Sequence, residues 1–181
     1  MALSALVGVA AFGLTGLVAA YIWTLYEFPL VLALQWTLGW GIVTLPLFGP
    51  RKAGLAAIVG GVSYTAAFFV GMFLAITDGS PLPIAGWLAV TVAAGIAGAA
   101  TGALLDRYRG ALVLAGASAA GMLLGTIIAG TVMQGAPDAV NVEGPTQYLY
   151  FALAQGIVGV VTGAAIGAAA AWLKSAADID A

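Results

Sequence analysis

The charges of this 181-residue chain are so sparse that they leave apolar runs about twenty residues long between them, and this spacing restricts the fold more than any other feature. Only five Lys or Arg and seven Asp or Glu occur, 7% of the residues, against 63% hydrophobic. A soluble domain is about 25% charged. Twelve charges cannot cover a water-facing surface, so lipid is the expected solvent over most of the chain.

A membrane-spanning helix needs about 20 apolar residues. Reading between charges and Pro/Gly breaks predicts six: Ala2–Tyr26, Pro29–Phe48, Ala53–Ile76, Pro83–Leu105, Gly110–Met133 and Thr146–Leu173. The expected fold class is therefore all-α, a polytopic membrane protein forming a single domain over residues 1–181. The first apolar run is longer than a signal-peptide core and has no basic residue before it, so it reads as a retained span. Arg51 and Lys52 join spans two and three, Arg107 and Arg109 join four and five, and Lys174 follows six. Basic loops stay in the cytoplasm. Both termini are thus expected inside, in a multi-pass protein of the cytoplasmic membrane, with Glu27, Asp78, Asp138 and Glu143 outside. Tyr21, Trp23, Tyr26, Trp87, Tyr148 and Tyr150 fall at the outer ends, and Tyr108 and Trp172 at the inner ends, as an aromatic belt would.

Small residues recur every four positions in the last three spans: Ala94, Gly98 and Gly102; Ala117, Gly121, Gly125 and Ala129; Gly159, Gly163 and Gly167. Such faces let helix backbones approach closely where lipid removes the hydrophobic drive. They serve either internal packing or an oligomer contact. Spans two–three and four–five also align at an offset of 56 residues, pairing Ala33 with Ala89, Gly39 with Gly95, Arg51 with Arg107, Gly54 with Gly110 and Gly60 with Gly116. This suggests a repeated hairpin.

The chain contains no cysteine and no histidine, which removes disulfides, thiol chemistry and the common zinc sites. No charged residue lies within a predicted span. Proton relays, ion paths and voltage sensors usually need one. A serine protease lacks its usual base, and metal-assisted phosphoryl transfer lacks its carboxylates. The expectation is a protein that is not an enzyme, holds no cofactor or metal and binds no nucleic acid. What remains inside the spans is neutral: Gln35, Trp36 and Trp40 in the second, Tyr64 in the third and Gln155 in the sixth. Gln35 and Gln155 enter from outside to roughly 9 and 13 Å at 1.5 Å per residue. A buried amide needs partners. These five residues either bond to neighbouring helices or line an outward-facing ligand pocket for a small, neutral, partly aromatic compound.

The stretch Leu47-Phe48-Gly49-Pro50-Arg51-Lys52-Ala53-Gly54-Leu55 looks like a Gly-Pro-x-x-Gly turn between a second and third helix. Gly86-Trp87 through Gly102, followed by Asp106-Arg107-Tyr108-Arg109, looks like a fourth helix and its basic turn. In these motifs and in its topology the chain resembles the substrate-binding S-components of energy-coupling-factor vitamin transporters. The resemblance implies six helices, cytoplasmic termini, an outward vitamin pocket and a coupling membrane subunit with its ATPases as partner. Docking in that family uses small residues at four-residue spacing in the first helix, where this chain approximately matches with Ala11, Thr15 and Ala19. The loop at Glu27-Phe28 is shorter than the ligand-covering loop of the family. Two other readings fit the composition: an accessory or scaffolding subunit of a larger membrane complex, and a passive channel for a small neutral solute.

Overall fold

In a computed structural model of the protein, residues 2–26, 31–77, 82–134 and 145–179 are described, and all of them are helical. They form α1 (Ala2–Tyr26), α2 (Val31–Thr77), α3 (Leu82–Gln134) and α4 (Pro145–Ile179). Four of the described helices are long and apolar enough to cross a membrane. Helix is the conformation such a sequence must take in lipid, because every backbone N–H and C=O then bonds within its own segment.

α2 and α3 are each broken once. In α2 the break is Gly49, at φ 80° and ψ 170°. A residue before proline is steered out of the helical region, and Gly49 takes a backbone conformation that side chains exclude. Pro50 then starts the second arm, where its missing N–H costs no helical bond. In α3 the break falls at Asp106 (φ −150°, ψ 50°) and Arg107 (φ 41°, ψ −129°). Arg107 is the one non-glycine residue at positive φ among those described.

At both breaks the chain folds back on itself. A β-carbon on Gly60 would overlap the Trp40 ring, and one on Gly61 the Thr37 hydroxyl, so residues 50–77 run antiparallel against 31–48. Likewise Gly102 meets the Gly110 carbonyl, and Gly98 meets the Leu114 carbonyl. The remaining contacts close a ring. Gly39 of α2 meets the Phe12 ring of α1, and Gly71 of α2 meets Ala89 of α3. Gly121 and Gly125 of α3 meet Thr162 and Val158 of α4. Gly159, Gly163 and Gly167 of α4 meet the carbonyls of Phe12, Gly8 and Ser4 of α1. The glycine faces of α3 and α4 are thus contacts inside the chain, and neighbouring arms alternate in direction around the ring.

This alternation brings both helix breaks, the start of α1 and the end of α4 to one end of the bundle. Ser4 lies against Gly167. The Arg109 guanidinium sits 4.7 Å from the centre of the Trp172 ring, and Arg51, Lys52 and Leu104 border one cleft. Arg51, Lys52, Arg107, Arg109 and Lys174 are therefore gathered at a single end. The interior is filled by Phe12, Trp36, Trp40, Leu114, Ile166 and Leu173, each under 2% exposed.

Candidate ligand-binding cluster

Trp36 and Trp40 are four residues apart in the first arm of α2, so both side chains leave the same helix face. Tyr64 and Phe68 have the same relation in the second arm. The hairpin brings the two pairs together. Trp36 stacks on Tyr64 with ring centres 4.2 Å apart and planes 11° apart, and Tyr64 continues the stack to Phe68 at 6.1 Å and 9°. From α1, Phe12 meets Trp36 edge-on at 5.5 Å and Trp40 at 6.1 Å. The result is one continuous aromatic cluster, and all four of Phe12, Trp36, Trp40 and Tyr64 are buried. Edge-to-face and offset pairs of this kind contribute about 0.5–1.5 kcal/mol each beyond the area they bury.

Gln35 borders this cluster and is only 4% exposed. Its amide nitrogen donates to the Phe12 carbonyl oxygen at 3.4 Å, at the long limit for such a bond. The same nitrogen stands beside Gly16: a β-carbon there would lie 2.6 Å from it and 3.0 Å from the backbone oxygen of Gln155. Gly16 is therefore where α1, α2 and α4 converge, with the Gln35 amide and the Gln155 backbone oxygen both beside it. The Gln155 side chain is half-buried. Of the five residues expected to bind a ligand, Gln35, Trp36, Trp40 and Tyr64 form one cluster, and the Gln155 backbone reaches its edge.

Among the described residues the cluster holds no charged group, and the Trp40 indole N–H, like the Thr91, Thr101, Ser118 and Thr162 hydroxyls elsewhere in the bundle, is buried without a hydrogen-bond partner. A buried donor left unsatisfied costs about 1–3 kcal/mol. Trp40 is held by its ring seat over Gly60 and by a neighbouring turn in which the Thr44 hydroxyl donates to the Trp40 carbonyl at 2.6 Å. The site is thus a neutral, aromatic, donor-bearing environment suited to an uncharged acceptor and a flat ring.

Phe12 was not singled out by the sequence, although it bridges the two tryptophans. The signal that marks it is local: it lies four residues after Gly8 and four before Gly16, and these glycines let α4 and the Gln35 amide come close on either side. Phe68, at the end of the stack, lies one turn beyond Tyr64, and nothing in the sequence sets it apart from the other apolar residues of its span.

The α1 residues proposed to dock a partner have mixed surroundings. Ala11 and Ala19 are each 3% exposed, so their methyl groups meet the chain's own helices. Thr15 is half-buried, and its hydroxyl donates to the Ala11 carbonyl. Thr15 and Ala19 border an apolar groove of about 250 Å³ between α1 and α2, flanked by Leu14, Leu34 and Leu38. A second groove, about 510 Å³, runs between α1 and α4 past Gly13, Leu17, Gly156 and Val160. Neither groove is bordered by the five cluster residues. Among the described residues no group of three or more His, Cys, Asp or Glu side chains is placed to hold a metal ion.

No known protein family, no curated protein and no solved structure matches this chain.

Proposed function

We propose that the chain is the membrane-embedded substrate-binding subunit of an uptake transporter for a small, neutral, partly aromatic molecule of vitamin size. It would lie in the cytoplasmic membrane with six crossings and both termini inside. The observation that carries this reading is the convergence of Gln35, Trp36, Trp40 and Tyr64 on one uncharged cluster that retains an unsatisfied indole N–H.

The topology draws support from length. α2 has 47 residues and α3 has 53, about 70 and 80 Å at 1.5 Å per residue. That is more than twice the roughly 30 Å hydrocarbon core, and both helices fold back midway. Each arm is then one crossing. The basic end of the bundle faces the cytoplasm by the positive-inside rule. Binding follows from the groups present. A flat ligand ring replaces Tyr64 against Trp36, the Trp40 N–H donates to a ligand acceptor, and Gln35 exchanges its long bond to Phe12 for one to the ligand. A coupling membrane subunit with ATPases would supply the energy for release inward.

Equilibrium dialysis of the purified full chain against nicotinamide, pyridoxine and riboflavin tests the reading. Saturable binding of at least one is expected, weakened about three- to tenfold in Gln35→Leu, the loss of one neutral hydrogen bond. Absence of saturable binding across all three would favour the second reading, an accessory or scaffolding subunit. The near-complete burial of Trp36 and Trp40, at 1% and 0% exposed, is the observation behind that alternative. Under it, Gln35→Leu changes stability and touches no ligand.

A further inference from the structure

We infer that the cleft between the two hairpin bends is a binding site for an anionic phospholipid of the cytoplasmic leaflet. Arg51 and Lys52, just after the α2 break, and Leu55 and Leu104 border a cleft of about 260 Å³. Its lining divides sharply by chemistry. Both cations are exposed at the end of the bundle, and among the described residues no carboxylate lines the cleft. Both leucines are on the outer surface, 48% and 42% exposed, Leu55 one turn beyond the cations and Leu104 two residues before the α3 break. A phosphodiester headgroup between Arg51 and Lys52 would place its acyl chains along Leu55 and Leu104. A soluble phosphate would use the cations and leave the leucines uncovered, so the lipid is the occupant that uses the whole lining. Lys52 is also held near the bend, with its ammonium 5.8 Å from the centre of the Phe48 ring. Basic pockets between membrane helices on the cytoplasmic side are suited to such headgroups.

The inference rests on the reading that the basic end lies at the inner membrane surface, and the test separates the two. The full chain is purified in detergent from mixed phosphatidylglycerol and phosphatidylcholine, and retained lipid is counted by native mass spectrometry. Insertion into the bilayer is scored separately by resistance to alkaline carbonate extraction. The native chain should retain one phosphatidylglycerol in preference to phosphatidylcholine. The double variant Arg51→Gln/Lys52→Gln should lose that preference by roughly ten- to thirtyfold, at about fivefold per cation near a membrane surface. Arg107→Gln/Arg109→Gln removes the same charge from the same end and should keep it. Leu104→Trp fills the cleft without changing charge and should weaken retention, which covers the case in which the first double variant fails to fold. Equal retention of the two lipids by the native chain, equal losses in the two double variants, or full retention in Leu104→Trp would each overturn the site. Inorganic phosphate displacing the lipid at millimolar concentration would overturn the role given to the leucines. A chain extracted by carbonate would overturn the membrane placement instead.

Discussion

Gly163 and Gly116 are both helical glycines, and their surroundings set opposite outcomes for the same substitution. A β-carbon on Gly163 would overlap the Gly8 carbonyl of α1, whereas one on Gly116 would meet nothing within 4 Å. Gly163→Ala should therefore push α1 and α4 apart and destabilise by about 1–3 kcal/mol, the usual cost of overpacking a fitted contact. Gly116→Ala removes a poor helix former from an open site and should stabilise by up to about 1 kcal/mol. Thermal unfolding of the two variants in detergent checks this, and shifts of the same sign would mean that the α1–α4 approach is not a fitted contact. The four-residue spacing of Gly121, Gly125, Gly159, Gly163 and Gly167 made these positions legible as contacts. It left open whether the contact is within the chain or between chains, because spacing identifies a face and not what covers it. Phe12 shows the opposite limit. Its residue type does not separate it from a lipid-facing aromatic; Gly8 and Gly16 mark its face as a close approach, and the fold brings Trp36 and Trp40 to it.

The hairpins are the elements that assemble the candidate site, and each depends on its bend. Gly49 has open space around it, yet its φ of 80° is closed to a side chain. Gly49→Ala should thus destabilise by about 1–3 kcal/mol through backbone strain alone, while Gly54→Ala, equally open but helical, should not. Chemical or thermal unfolding of the pair distinguishes conformation from crowding, and an unaffected Gly49→Ala would show that the bend does not need that geometry. The Gly49-Pro50 bend was legible because both residues have conformational requirements that sequence alone displays. Its extent was not. The third span was expected to begin at Ala53, but the helix resumes directly after Gly49, because Pro50 fits a first helical turn. The expected start of the second span at Pro29 lies outside the described residues. The suggested repeat survives as shape and not as contact. Both hairpins bend within two residues of matched positions, Gly49 corresponding to Leu105 and the second break falling at Asp106 and Arg107, but Gly54 is open where Gly110 meets Gly102, and Gly60 seats Trp40 where its counterpart Gly116 is open. Sequence offset detected a shared outline, and different neighbours then gave the matched glycines different roles.

At the scale of the whole molecule, the ring of alternating arms and the collection of all five cations at one end make a topology that labelling can decide. The chain has no native cysteine, so each introduced thiol reports without background. Ser80→Cys and Gly135→Cys lie between the helices in segments outside those described, and Ser175→Cys lies near the end of α4. If each hairpin arm crosses the bilayer, six crossings put positions 80 and 135 on the same side and position 175 on the other. An impermeant maleimide applied to intact cells should then label Ser80→Cys and Gly135→Cys and spare Ser175→Cys until the membrane is opened. If instead α2 and α3 each crossed once as a continuous helix, there would be four crossings. With the N-terminus inside, position 80 would be inside and position 135 outside, so the two would split. A wholly reversed pattern, with only position 175 labelled, would keep six crossings but place the cations outside, against the positive-inside rule. The split outcome is also the physically costly one. It would draw Arg51, Lys52, Arg107 and Arg109, which lie midway along α2 and α3, towards the bilayer centre. Each such charge there costs at least about 2.5–3.5 kcal/mol, and among the described residues no carboxylate lines the cleft beside Arg51 and Lys52 to offset it.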